Sequence, residues 1–323
     1  MSFRSDTHWI WDFWIADDGD SFHMFYLHAP KSLVDPHLRH RNARIGHAVS
    51  TDLRSWTDHG EVLAPGAAGS FDETATWTGS VVRGDDGLWR MFYTGAIFLS
   101  DENMTNIEAI GVATSDDLHT WQKTPGPITE ADPRWYETLA DGTWREQAWR
   151  DPWVYRDERD GVWHMLITAR GRDGDDVLDR GVIGHATSPD LETWTVQPPL
   201  SEPGIGFMHL EVPQLSHIDG RTLLTFSCDG PHLTGRRADT TGGVWVAPVD
   251  DIRGPFGLDD VELLAPETSY AGRLVQDRDG AWMLLAFENV VDASDDGFGG
   301  WIADPVPVAS IWSASADATG AGR

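Results

Sequence analysis

Along this chain, short apolar stretches come in pairs, and each pair is joined by an acidic turn that ends in Asp-Gly. The first stretch of a pair mixes polar and apolar residues, and the second is apolar and rich in aromatics, as β-strands of a half-buried sheet are. Five pairs follow one another: Trp11 to Tyr26 with the turn at Asp18-Gly19, Trp77 to Tyr93 with Asp86-Gly87, Trp149 to Ile167 with Asp160-Gly161, His209 to Phe226 with Asp219-Gly220, and Tyr270 to Phe287 with Asp279-Gly280. Asp-Gly between two strand-like runs predicts a tight hairpin, because both residues of such a turn need positive φ. The dipeptide also occurs at Asp141, Asp173, Asp229 and Asp296. Repetition with matched flanks, rather than the dipeptide, therefore carries the prediction.

A second pattern is interleaved with the first. Ile45-Gly46-His47-Ala48-Val49 leads through Ser50-Thr51-Asp52-Leu53 to Trp56. The same order runs from Ile110 through Ser115 and Leu118 to Trp121, and from Ile183 through Ser188 and Leu191 to Trp194. A weaker copy starts at Val244-Trp245-Val246-Ala247-Pro248. Each reads as a third strand, a turn and a short outer strand. Two hairpins per repeat predict an all-β fold, a five-bladed β-propeller with four antiparallel strands per blade. One domain is expected over residues 1–323, the repeats reaching about Trp312 and residues 313–323 forming a flexible tail. No helical periodicity of useful length is found, the stretch Asn103 to Ile110 being too short.

Composition narrows the function classes. A hydrophobic content of 40% with 17 Trp supplies a core. The formal net charge of −28 argues against nucleic acid or an anionic membrane surface as partner, since both would be repelled. No apolar run approaches the ~18 residues of a membrane span, and no apolar stretch precedes Trp9 as a signal peptide would require. The single Cys228 is expected to be a buried structural thiol. These features lead to an expectation of a cytoplasmic protein. No Gly-rich phosphate loop, Cys cluster, His-x-x-x-His pair or EF-hand loop is present, so neither a cofactor nor a metal is expected; the oligomeric state is not legible.

The first strands of a propeller line its channel, and three of the five open with a carboxylate at a matched early position. They are Asp12 in Trp11-Asp12-Phe13-Trp14, Asp151 in Trp149-Arg150-Asp151-Pro152, and Glu211 in His209-Leu210-Glu211-Val212-Pro213. The other two open Trp77-Thr78-Gly79-Ser80 and Tyr270-Ala271-Gly272-Arg273. Carboxylates are disfavoured in strands and costly when buried, so three that converge indicate a task. Acids in an aromatic-lined pocket suit glycoside chemistry, with one as nucleophile or base and one as general acid. Asp151, beside Arg150, is expected to stay ionised. Trp11, Trp14, Trp77 and Trp149 are expected to offer faces to a sugar ring, whereas Trp56, Trp121 and Trp194 read as core pegs. Other positions are ambiguous. The loop Asp35 to Asn42 could rim the pocket, with Asn42 near the strand; His47 and His185 share a repeat position and read as structural. The aromatic loop from Asp132 to Trp149 could wall a subsite, His209 points to the side of Glu211, and Asp72 and Glu73 read as a solvated turn.

These motifs resemble those of the fructan-active five-bladed propellers, glycoside hydrolase families 32 and 68. Trp11-Asp12-Phe13-Trp14 is similar to the Trp-Asp-Ser-Trp motif of levansucrases, and Trp77-Thr78-Gly79-Ser80 to Trp-Ser-Gly-Ser. Arg150-Asp151-Pro152 is identical to the Arg-Asp-Pro motif, and Glu211-Val212-Pro213 resembles Glu-Cys-Pro of invertases. The residues after Asp12 match neither family fully, and the C-terminal β-sandwich of family 32 is not expected to have room here. The resemblance implies a retaining glycosidase for a β-fructofuranoside such as sucrose or a small fructo-oligosaccharide, with possible fructosyl transfer. It implies Asp12 as nucleophile, Glu211 as acid/base, Asp151 as transition-state stabiliser and Arg150 as a ligand of the sugar hydroxyls. Trp11, Trp14, Trp77, Ser80, His209, Asn42 and Tyr270 complete the expected binding set for a small neutral carbohydrate. Two alternatives stay open: an inverting family 43-like arabinofuranosidase or xylosidase, and a non-catalytic sugar-binding propeller.

Overall fold

The computed structural model describes residues 2–292 and 297–309. Five sheets follow one another along the chain, antiparallel and ordered by sequence along their main path, with Glu146–Gln147 added parallel to Asn106–Ser115 in the second. Blade one is His8–Asp17, Phe22–Pro30, Arg44–Ser50 and Thr57–Leu63; blade two is Ala75–Arg83, Trp89–Phe98, Asn106–Ser115 and Gln122–Lys123. Blade three is Trp149–Arg156, Trp163–Arg170, Gly181–Ser188 and Thr195–Gln197; blade four is Glu211–Ile218, Arg221–Cys228, Gly243–Val249 and Glu262–Pro266. Blade five has Ser269–Gln276, Trp282–Asp292 and Gly297–Ile302, with Val306–Pro307 pairing on Trp282–Asp292. The predicted five-bladed propeller is the fold. The expected tail at residues 313–323, and Trp312 with it, lie outside the described residues.

Successive first strands pack side by side, and the last packs on the first. Ring closure is helped by Phe3, which exchanges main-chain hydrogen bonds with Ile302 of blade five. The apolar clusters fill the wedges between neighbouring blades, which is where two sheet faces meet and water is excluded. Cys228 is buried and free. No described helix is long and apolar enough to cross a membrane.

The hairpin turns divide into two kinds, which corrects the expectation of positive φ at both residues. Only Asp219-Gly220 joins its strands through two residues that are both left-handed, at φ 50° and 76°. The other four turns are longer and only their glycines, such as Gly87 at φ 84°, are left-handed. In three of them the aspartate acts as a side-chain acceptor, Asp18 Oδ1 from the main chain of Asp20 at 2.9 Å, Asp86 Oδ1 from Leu88 at 3.1 Å and Asp160 Oδ1 from Val162 at 3.0 Å, whereas in the turn at Asp279 the acceptor is Asp277.

The interleaved repeat is a hydrogen-bonded unit. In blade two, Asp117 Oδ1 accepts from the main-chain N–H of His119 and Thr120, both at 2.8 Å, and the Trp121 indole donates to the Leu118 carbonyl at 3.1 Å. Leu53, Leu118 and Leu191 are buried although left-handed, at φ 61°, 64° and 66°. The turn therefore depends on its aspartate to offset that strain. His47 and His185 are buried and structural, each stacked on a second-strand histidine, His23 or His164, with a ring-nitrogen contact of 3.0 Å. Replacing Asp117 by Ala should lower stability by about 1 kcal/mol, as loss of comparable caps does. The expected readout is a lower urea midpoint with an unchanged near-ultraviolet spectrum; an unchanged midpoint would refute the role of the turn.

Candidate active site

One irregularity recurs in all five first strands and builds the site. Pairing slips between Trp11 and Phe13, Trp77 and Gly79, Arg150 and Trp153, Glu211 and Gln214, and Tyr270 and Arg273. Each slip is a β-bulge at the start of the strand, at one end of the channel. A bulge re-aims side chains that strict alternation would send into the blade interface. Asp12 and Thr78 sit inside two of these bulges, and Asp151, Val212 and Ala271 take φ of 58°, 55° and 48° in the others. Hydrogen bonds hold this strain: the Asp151 N–H donates to Thr94 Oγ1 at 2.9 Å, and the Val212 N–H to Asp151 Oδ2 at 3.0 Å.

The bulges surround a cavity of about 480 Å³ that is lined by Asp12, Asp151 and Glu211 together with Trp11, Trp77, Arg150, His209 and Tyr270. Thr78 Oγ1 donates to Asp12 at 2.8 Å, and Thr168 Oγ1 to Asp151 at 2.8 Å. Tyr270 donates its hydroxyl to Glu211 Oε2 at 2.5 Å. Arg150 is the hub. Its Nη2 donates to Glu211 Oε1 at 2.7 Å and to His209 Nδ1 at 3.2 Å. Its Nη1 reaches both oxygens of Glu108, at 3.2 and 3.1 Å, and Glu146 Oε1 at 3.4 Å. A guanidinium only donates, so His209 Nδ1 accepts and its Nε2–H faces Glu146 at 3.3 Å. His209 is thereby a neutral imidazole of fixed tautomer, and burial and then Arg150 keep its pKa well below the usual value.

The carboxylates part company electrostatically. Burial, then the neighbouring charge of Asp151, pushes the Asp12 pKa up to about 7. Asp151 is also raised, because burial outweighs Arg150, whose Nε stands 3.8 Å away. Burial would raise Glu211 as well, but Arg150 and the Tyr270 hydroxyl hold it at about 2. Burial takes Glu108 up to about 8 despite Arg150. Arg150 lowers the Asp151 pKa as expected, but burial outweighs it, and the guanidinium fork is aimed at Glu211 and Glu108.

Several expected ligands lie elsewhere. Trp14 is 0% exposed and stacks on Phe25 in the core, since the bulge at Asp12 turns it away from the channel. Trp149 is also fully buried and meets Tyr136 edge-on. Ser80 is buried and accepts from the Val154 N–H at 3.1 Å, joining blades two and three. Asn42 donates to the Leu38 carbonyl within its own loop, and the pocket is lined instead by His37, Arg39 and His40. Asp72 is 2% exposed and accepts from the Tyr93 hydroxyl at 3.0 Å, so it is no solvated turn. The Asp132 to Trp149 loop contributes Arg145 and Glu146 to the wall, with Trp144 packed edge-on against His209. Sequence reasoning missed Thr78, Glu108 and His232, while Arg39 lies in the loop expected to rim the pocket. Glu108 carries a signal, a carboxylate in the otherwise apolar run Ile107 to Val112, just ahead of the expected third strand from Ile110.

Comparison with known proteins places this geometry. The family profile described as "Glycosyl hydrolases family 32 N-terminal domain" matches residues 8–304. Raffinose invertase of Escherichia coli is 27% identical over 282 residues, covering 84% of this chain and 53% of that protein. Extracellular sucrase of Zymomonas mobilis is 28% identical, covering 71% of this chain and 64% of that protein. The chain therefore spans about half to two thirds of the length of these relatives. Among solved structures, inulosucrase from Halalkalicoccus jeotgali bound to kestose superposes with a TM-score of 0.76 at 24% identity, covering 92% of this chain and 84% of that one. The catalytic domain of Microbacterium saccharophilum K-1 β-fructofuranosidase gives 0.74 at 20% identity, with 95% and 79% covered. At those identities the structural likeness speaks for the fold.

The raised pKa of Asp12 has a consequence for stability. A carboxyl that titrates near 7 when folded and near 3.8 when unfolded costs the fold stability as pH rises through that window, and the whole cost is present above it. Asp12 faces the pocket and is only half-buried, so an Asp12→Asn protein should be more stable at pH 8 by about 1–2 kcal/mol, less than the full shift would give. The gain should vanish near pH 4, as thermal melts at the two pH values would reveal. Equal melting shifts at both would contradict the assignment.

Proposed function

Given that this chain belongs to glycosyl hydrolase family 32, we propose that it is a retaining β-fructofuranosidase for sucrose or a small fructo-oligosaccharide. The observation that carries the reading is the convergence on one cavity of Asp12 and Asp151, each inside the bulge of its strand, and Glu211, the residue just before its own. Asp12 attacks C2 of the fructosyl unit as a carboxylate while Glu211 gives its proton to the departing oxygen, forming a fructosyl ester on Asp12. Glu211 then takes a proton from water, whose oxygen attacks C2, and Asp12 leaves as a carboxylate. A sugar hydroxyl in place of water gives fructosyl transfer. Asp151 and Arg150 accept and donate hydrogen bonds with the ring hydroxyls. Trp11 and Trp77 wall the ring, with the Trp77 indole locked by the His40 carbonyl at 2.8 Å. The leaving group extends toward Arg39, Arg145 and His232.

The protein's own groups push Asp12 up to about 7 and hold Glu211 at about 2, the reverse of the order that the two roles need. The three acids interact, so the functional quantity is the proton count of the site rather than the address of one proton. Sugar hydroxyls that donate to Asp12 and Asp151 favour their ionised forms, and a glycosidic oxygen at Glu211 favours a donor there. The proton then passes to Glu211 as substrate settles.

The commitment to family 32 disfavours the inverting family 43-like reading. A purely sugar-binding propeller would not need three acids converging on one cavity. Proton NMR of sucrose digestion should show β-fructofuranose first, with the α-anomer and the pyranose forms appearing by mutarotation. Initial α-fructose would mean inversion, and binding without release would revive the sugar-binding reading. Glu211→Gln should lose turnover on sucrose by about 10³-fold. Because one proton must remain in the site, kcat/KM should be flat on the acid side and fall above pH about 7. A kcat/KM that rises through pH 7 would refute the one-proton account.

A further inference from the structure

Blade five brings no carboxylate to the pocket, yet its first strand, Ser269–Gln276, places Arg273 against the acid-bearing bulges. Arg273 is 1% exposed. Its Nε donates to the Phe13 carbonyl at 3.1 Å, and its Nη1 to the Pro213 carbonyl at 3.1 Å and the Val212 carbonyl at 3.4 Å. Its guanidinium carbon lies 5.2 Å from the Trp153 ring centre. Phe13 follows Asp12, Val212 follows Glu211, and Trp153 stands two residues beyond Asp151. One side chain therefore touches the backbone or the strand next to each of the three acids.

The fifth bulge makes this reach possible. Ala271 is left-handed at φ 48°, and a Cβ on Gly272 would come within 2.7 Å of Val244 Cγ1. Both residues let the strand press close enough for Arg273 to turn inward. The hydrogen bonds that Arg273 makes among the described residues all go to main-chain carbonyls, so its charge is not spent on an adjacent carboxylate. A buried cation without an ion-pair partner is expensive, which argues that its charge has a task. Burial pushes its pKa down to about 10, opposed by Asp151 and then by Asp12.

We propose that Arg273 is a positioning residue of the active site, fixing the spacing of the Asp12, Asp151 and Glu211 bulges and lowering the proton affinity of the acids with its buried charge. The inference rests on the fructofuranosidase reading of that site. Asp12 faces Asp151, Glu211, Arg39 and Arg273, with Thr78 donating to it; Asp151 faces Arg150, Glu211 and Arg273, with Thr168 donating. Removing Arg273 takes away a cation that both feel, so protons leave the site at higher pH.

The test compares Arg273→Met, which removes fork and charge, with Arg273→Lys, which keeps the charge and loses the fork. On sucrose, Arg273→Met should lower kcat by about 100-fold with little change in KM, since misplacement of about 1 Å is enough for that. Its alkaline limb should move up by about one pH unit. Arg273→Lys should lose kcat while its limb stays where the wild type has it. A folded Arg273→Met with wild-type kcat, or with a reduced kcat and an unmoved limb, overturns the proposal. If Arg273→Met does not fold, Arg273→Lys decides: wild-type kcat in it overturns the positioning role. Wild-type protein that releases no fructose defeats the functional reading instead. In that case carbon-13 titration of the Asp12 carboxyl, wild type against Arg273→Met or, where that does not fold, Arg273→Gln, still tests the charge effect, and an unshifted titration overturns it.

Discussion

Arg150 faces Glu108, Glu146, Asp151 and Glu211, and among the described residues it is the one Lys or Arg within ion-pair distance of each. A single positive charge against four carboxylates in a buried setting cannot keep all four ionised. Burial therefore wins at Glu108 and Asp151, and the guanidinium wins at Glu211, to which it is closest. The site is left holding protons near neutral pH without any exotic device. The neutral tautomer of His209, squeezed between Arg150 and Glu146, follows from the same shortage of positive charge.

The propeller supplies what this electrostatics requires, a rigid ring in which each blade is held by its neighbours. Acids on one strand could not converge, whereas acids on three strands with matched bulges do. The bulges carry left-handed residues at Asp151, Val212 and Ala271, and the scaffold around them is dense: Thr94, Thr168 and Arg273 all hydrogen-bond into this layer. Strain and unpaired charge concentrate at the pocket, and the apolar wedges between blades offset their cost.

Much of this was legible in the sequence. The blade order came from matched hairpins and from the Ser-x-Asp-Leu turn, whose residues state their hydrogen bonds almost openly. Asp12, Asp151, Glu211, Arg150, Trp11, Trp77, His209 and Tyr270 were found because each opens a repeat, and the structure gathers them on one cavity. Trp14 and Ser80 were misplaced for one reason: a bulge shifts the face of every later residue by one, and alternation cannot foresee where it falls; Trp149 precedes its bulge and packs into the core against Tyr136. Asn42, His37 and Arg39 belong to a loop, where chain order says little about direction. Glu108 stands out as a carboxylate in an apolar run, but its pairing with Arg150, like the reach of Arg273, emerges only from three-dimensional proximity.

The central claim is that Asp12 becomes covalently attached to the sugar. Incubating Glu211→Gln protein with a fructosyl fluoride, which leaves without acid assistance, and digesting it for peptide mass spectrometry tests that claim most directly. The account predicts a fructosyl adduct on the peptide that contains Asp12, mapped to that carboxylate and absent from Asp12→Asn. Fluoride release with no adduct, or an adduct on Asp151 or Glu108 instead, would contradict it.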